Sequence, residues 1–207
     1  MNGGILAANE SAVVVLVAIG VVVLIPLVWL IATFNRFVRL RQHIKESWAD
    51  IDVELKRRYD LIPNLVETVK GYAAHERGVL ERVIELRNKA AANHGAAASQ
   101  ALDESALLVG LKQVFAVAEA YPRLKADTNY LALQQELANT EDRIAAARRF
   151  FNGNVREMNG LCQQFPTNLV GSVFKFEPGT FFELSSEAER VVPRVNWGSF
   201  TQPNTPA

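Results

Sequence analysis

From Ser11 to Asn35 no side chain carries a charge, and this run constrains the chain more than any other feature. Its core, Ala12 to Ala32, is almost wholly Val, Ile, Leu and Ala, interrupted mainly by Gly20 and Pro26. As an α-helix that core would reach roughly 30 Å, about the thickness of a bilayer's hydrocarbon. Trp29 and Phe34 sit near one end, where aromatic side chains mark a membrane interface. Pro26 is compatible with a spanning helix that it kinks. A cleaved signal peptide would want a basic start, a shorter apolar core and a small-x-small site. The first ten residues contain no Lys or Arg, and Ala32-Thr33-Phe34 is a poor cleavage site. A soluble core helix is rarely apolar around its whole circumference for six turns. The expectation is a retained transmembrane helix over residues 11–35.

Orientation follows from the flanks. Glu10 precedes the helix, whereas Arg36, Arg39, Arg41 and Lys45 follow it, and the basic side stays in the cytoplasm. Trp29, Arg36, Arg39 and Arg41 are the expected anchor flank. Residues 1–10 are then a short extracytoplasmic N-terminus, and everything from about residue 36 onward is cytoplasmic. The expected location is the plasma membrane, crossed once.

The remainder of the 207 residues suffices for one domain of ordinary size. From Arg36 to Phe165 the pattern is helical, with no strict alternation. Ile44, Trp48, Ile51, Leu55, Ile62, Leu65, Val69, Tyr72, Val79, Val83, Leu86 and Ala90 recur in steps of three and four. Arg58 and Glu76 fill the two missing places in this coiled-coil-like seam. Lys56-Arg57-Arg58 suits a helix C-terminus, and Asp60 followed by Pro63 suits a new start. That reading gives helices near 36–59 and 61–92. The unbroken register equally allows one long helix kinked at Pro63. A loop over 93–99 leads to a third helix, near 100–121, with Leu107, Leu111, Val114, Phe115 and Ala118 on one face. Pro122 ends it. Asp127 or Thr128 caps a fourth helix, running to about Gln164, whose stripe includes Tyr130, Leu137, Ile144, Phe151, Met158 and Leu161. The fold class is all-α. An N-terminal transmembrane helix is followed, over 36–165, by an antiparallel four-helix bundle with long helices. Residues 166–207 form an extended C-terminal tail containing aromatic runs, frayed after about 193.

Composition excludes some functions. The 22 basic and 22 acidic residues cancel, so the strongly basic face of a dedicated nucleic-acid binder is not expected. Cys162 is alone, which rules out an intrachain disulfide or a cysteine-based zinc site and fits a reducing compartment. Asp50 and Asp52, two apart on a helix, point in different directions and read as a solvated face. His75-Glu76 lacks a second His four residues on, and His43, His75 and His94 fall on separate elements. No glycine-rich phosphate loop or nucleophile elbow occurs. The expectation is no catalytic site, no metal and no cofactor. Polar residues in the seam carry more information. Arg58, Glu76, Thr140 and Asn154 can fix register or choose a partner, with Glu141 and Arg143 as ionic partners across helices. Pairing inside the bundle is the plainer use of them, and contact with a second protomer the sharper one. Phe174, Phe176, Phe181 and Phe182 likewise either pack along the bundle or form a strap for a partner.

Several stretches, in order, resemble the LemA family. They are Phe34-Asn35, Trp48-Ala49-Asp50-Ile51-Asp52-Val53 and the run Leu55–Glu76, which contains Arg57-Arg58-Tyr59-Asp60-Leu61-Ile62-Pro63-Asn64. Ala118-Glu119-Ala120-Tyr121-Pro122, Glu136-Leu137, Thr140-Glu141-Asp142-Arg143-Ile144, Ala147-Arg148-Arg149 and Phe165-Pro166 follow. Family members often have Tyr-Asn where this chain has Phe151-Asn152 and Met158-Asn159, and Asn in place of Asp142. Those phenol hydroxyls are therefore not essential here. The resemblance implies an N-terminal membrane helix and a cytoplasmic four-helix domain. One branch of the family is tied to building magnetosome membranes, so the analogy points to membrane organisation. The expected role is a membrane-anchored scaffold that self-associates at the cytoplasmic face. An adaptor or accessory subunit of another membrane machine, such as a protease or envelope-stress complex, is the alternative. The expected partners are the lipid bilayer and further copies of the chain or, in the adaptor reading, another membrane protein, with no nucleic acid.

Overall fold

The structure is a computed structural model that describes the backbone of residues 2–184, with side chains at 16 and from 19 onward. The expected fraying after about 193 lies outside the described residues. Six helices occur in the order α1 (Asn2–Lys70), α2 (Arg77–Ala92), α3 (Ala97–Glu119), α4 (Pro122–Lys125), α5 (Thr128–Gln163) and α6 (Thr167–Val173). No strand occurs among the described residues, in agreement with the all-α expectation.

α1 departs most from the sequence reading. No boundary falls at Asp60, so the expected helices 36–59 and 61–92 do not exist as such. The helix passes both Pro26 and Pro63 and stops at Lys70, and the true break is the turn over residues 71–76. A proline removes the amide that would bind the carbonyl four residues earlier. At Pro63 that carbonyl belongs to Tyr59, and Arg87 Nε of α2 donates to it at 3.0 Å. A buried carbonyl left unmet costs about 1–3 kcal/mol, so this bond removes much of the penalty that would otherwise end the helix. The turn is closed instead by Gly71 N to Glu67 O, and by Tyr72 N and Ala73 N to Val69 O. Glu76 consequently sits in the turn, ahead of α2, rather than in a helical seam. Beyond it Val83, Leu86 and Ala90 are buried as expected, and only the first inward position differs, with Leu80 buried in place of Val79.

The other boundaries lie close to expectation. Asp127 caps α5, its Oδ1 accepting from the amides of Asn129 and Tyr130, both at 2.9 Å. These amides, Tyr130's first, and the Tyr72 hydroxyl hold its carboxyl below the usual range. Within the expected tail, residues 167–173 form α6, and residues 176–184 have no regular structure.

The chain divides into two compact units, Met1–Trp48 with Phe150–Gly179, and Ala49–Arg149 with Thr180–Ala207. In the first, Phe37, Leu40, Met158, Leu161 and Val170 form a buried cluster, with Leu30, Phe34, Ile44, Cys162 and Phe176 packed against it. Trp48 and Phe151 meet at 5.3 Å between ring centroids. Asn159 and the Gly179 backbone exchange two hydrogen bonds, at 2.8 and 3.0 Å, which tie the chain after α6 back to α5. In the second unit the buried side chains include Ile51, Leu55, Ile62, Leu65 and Val69 of α1, Leu80, Val83 and Leu86 of α2, Leu107, Leu111 and Val114 of α3, and Leu137 and Ile144 of α5. Gly110 permits the close approach of α3 to α2, since a Cβ there would lie 2.8 Å from Leu86 Cδ1.

The N-terminal part of α1 looks different. Leu16, Ile19, Leu24, Leu27, Val28 and Ile31 are all exposed. The stretch is long and apolar enough to cross a membrane, and only 11% of its most apolar window is buried. A soluble core helix of the same composition would be covered.

Candidate functional site

Among the described residues, the fully buried charged side chains, Arg58 and Glu104, lie together in the second unit. The seam places Arg58 on the inward face of α1, one turn from Leu55 and Ile62, and its side chain is 1% exposed. Nη2 pairs with Glu104 of α3, and Nη1 donates to Glu141 Oε1 of α5 at 2.7 Å. The second oxygen of Glu104 accepts from the Tyr59 hydroxyl and, at 2.8 Å, from Gln100 Nε2. Gln100 also donates to the Ala90 carbonyl and the Tyr59 oxygen, both at 3.1 Å. Three helices thus join through one guanidinium and two carboxylates, an assembly with an excess negative charge.

Burial alone would push the Arg58 pKa down, but Glu141 and Glu104 outweigh it and raise it above its ordinary value. Tyr59 is moved up by burial and then by Glu104, so its hydroxyl keeps its proton and acts as a donor. Tyr130, also buried, is pushed up to about 12. Such a cluster holds helices in register. Among the described residues no group of three or more His, Cys, Asp or Glu side chains is placed to hold a metal ion. Burial raises the Cys162 thiol, whose Sγ lies 3.7 Å from the Phe176 carbonyl. A surface groove between the end of α1 and α2 is open and lined by Val66, Glu67, Lys70, Arg77, Leu80 and Glu81.

The structure brings some of the expected interaction residues together and separates others. Arg58 and Glu141 form a direct pair. Thr140 is buried and returns its hydroxyl to the Glu136 carbonyl at 2.8 Å. Arg143 is half-exposed and lies 3.8 Å from Glu54. Asn154 donates to Ser47 Oγ at 3.3 Å and to the His43 carbonyl at 3.4 Å within the first unit. Phe176 stacks on Phe37 at 4.7 Å and lies under Arg41 at 5.4 Å, whereas Phe174 touches Phe34 at 4.8 Å and stays half-exposed. Phe182 is fully buried and Phe181 partly so. On the anchor flank Trp29, Arg36, Arg39 and Arg41 are exposed, and Arg36 pairs with Glu157 at 2.9 Å. Sequence reasoning missed Tyr59, Gln100 and Glu104. The signal was present: the α3 stripe through Leu107 and Leu111, continued backward by helical steps, lands on Glu104 and Gln100.

The chain is similar to magnetosome protein MamQ of Magnetospirillum gryphiswaldense, at 23% identity over 84% of this chain and 74% of that protein. Magnetosome protein MamQ 2 of Paramagnetospirillum magneticum is 24% identical over 74% of this chain and 66% of its own length. Protein LemA of Metamycoplasma hominis is 25% identical over 76% of this chain and 71% of that protein. The sequence profile of the LemA family matches residues 47–197, which takes in the Arg58 cluster and the whole of α2 to α6. The chain belongs to the LemA family.

Proposed function

We propose that this protein is a membrane-anchored, non-catalytic scaffold that self-associates at the cytoplasmic face of the bacterial inner membrane. The observation that carries the reading is α1. One uninterrupted helix holds both the exposed apolar stretch and, further along, the side chains Phe37, Leu40, Ile51, Leu55 and Ile62 that build cores. The anchor and the helical domain therefore share an element instead of being joined by a loose linker. Within the second unit, we read α2, α3 and the adjoining parts of α1 and α5 as an antiparallel four-helix bundle. Internal pairing of Arg58, Glu104 and Glu141 favours a structural use of the polar seam, leaving outer faces for contact. The two relatives named as magnetosome proteins support a role in organising membrane.

Full-length protein in mild detergent is expected to scatter light as particles larger than one protomer, because a single anchor gains from weak multivalent contacts. A monodisperse monomer well above micromolar concentration would overturn self-assembly and move the reading to an adaptor. Arg36, Arg39 and Arg41 put the domain inside. In a Cys162→Ser background, a membrane-impermeant thiol reagent on intact cells should label Asn2→Cys and spare Asn93→Cys. Labelling at Asn93 alone would reverse the topology.

A further inference from the structure

α6 offers a surface that its own unit does not cover. Its inner face is fixed, since Val170 is buried in the cluster with Phe37 and a Cβ at Gly171 would lie 3.4 Å from the Phe37 ring. Its outer face carries Leu169 and Val173, four residues apart and 55% and 72% exposed, and Phe165, in the turn just ahead of the helix, is 80% exposed. Phe174 beside them is 46% exposed. Exposed apolar side chains standing singly need no explanation, but a contiguous patch does. From Leu161 to Phe174 no side chain is charged, and the next residue is Lys175.

The level of the patch along α1 identifies what covers it. Leu30 and Phe34 pack against the cluster that holds Val170, and the Phe174 ring lies 4.8 Å from Phe34. Phe34 is three residues beyond Ile31, the last large exposed apolar side chain of the anchor. From Trp29 to Phe34 is about 7–8 Å along a helix axis, and interfacial helices sink about 5–10 Å into the headgroup boundary. The outer face of α6 thus continues the anchor's apolar surface laterally at the depth of its basic flank. Arg36, Arg39, Arg41 and Lys175 are all exposed, and Arg41 lies 5.4 Å over the Phe176 ring, so anionic headgroups would meet cations at this level. We propose that α6 and its two flanking phenylalanines lie in the bilayer interface, making a second membrane contact beside the transmembrane helix. This rests on the reading of α1 as membrane-crossing.

The test uses full-length protein with Cys162→Ser, reconstituted in vesicles of phosphatidylcholine and phosphatidylglycerol. Single nitroxide labels are placed at Leu24→Cys, Leu169→Cys, Val173→Cys and Lys45→Cys, with unchanged helical circular dichroism required of each. Leu24, Leu169 and Val173 should collide several-fold more often with oxygen than with a water-soluble nickel chelate, and Lys45 should show the reverse. If Leu24 reads as lipid while Leu169 and Val173 read like Lys45, the interfacial helix is wrong and the anchor stands. If Leu24 also reads as water, both fail. Spin–spin broadening at Leu169 that disappears on dilution with unlabelled protein would assign the patch to a second copy and overturn the proposal.

Discussion

Replacing Arg58 by Met is expected to destabilise the protein by about 3–5 kcal/mol, the usual cost of removing one partner from a buried ion pair. Methionine keeps most of the volume, so the loss reports charge rather than a cavity. Without the guanidinium, Glu104 and Glu141 face each other across the interior, and Glu104, 1% exposed, cannot recover its hydration. The Tyr59 and Gln100 donors still reach Glu104, but two neutral donors do not balance an ion. Adding Glu104→Gln should recover part of the loss, because it removes the most deeply buried carboxylate while leaving an acceptor for Tyr59. Glu141, 15% exposed, retains some access to water. Chemical denaturation of the full chain in detergent, followed by helical circular dichroism, measures both variants. A loss under about 1 kcal/mol for Arg58→Met, or a double variant as costly as the sum of the singles, would sink this account.

This cluster shows how far the sequence could be read and where reading stopped. Periodicity located the inward face of α1 as far as Val69, so Arg58 was recognised as an intruder in an apolar seam. Its partners were harder to see, because Glu104 comes from α3, and residues in different helices meet only through packing that a local pattern does not encode. The misplaced boundary has the same origin. Lys56-Arg57-Arg58, Asp60 and Pro63 are all local stop-and-start signals, but the helix runs through them to Lys70. What overrode them is a side chain from α2, Arg87, occupying the carbonyl that Pro63 frees. Conversely, the Asp127 cap and the uncharged apolar run depend on neighbours in the chain, and both were legible. α6 was missed because seven residues are too few to establish a period. The aromatic content of its surroundings was plain, but not its division into buried Phe182, stacked Phe176 and half-exposed Phe174.

Truncating Phe151 to Ala should cost about 3–5 kcal/mol, while the same change at the adjacent Phe150 should stay within about 0.5 kcal/mol. The two are consecutive on α5, and about 100° of helix separates their side chains. Phe151 is 4% exposed with its ring 5.3 Å from that of Trp48, whereas Phe150 is 62% exposed. The seam predicts this phase, since Phe151 lies seven residues from both Ile144 and Met158, each of them buried. Trp48 is only partly buried, so Trp48→Ala should cost less than Phe151→Ala. The tilted ring pair should appear in a double-mutant cycle as a coupling of about 0.5–1.5 kcal/mol. Denaturation midpoints of the four variants in detergent give all these values under one set of conditions. Equal costs at Phe150 and Phe151 would mean that α5 does not present this face inward. The assignment of Asn154 to Ser47 would fall with it, because Asn154 lies one turn along from Phe151 on the same side of the helix.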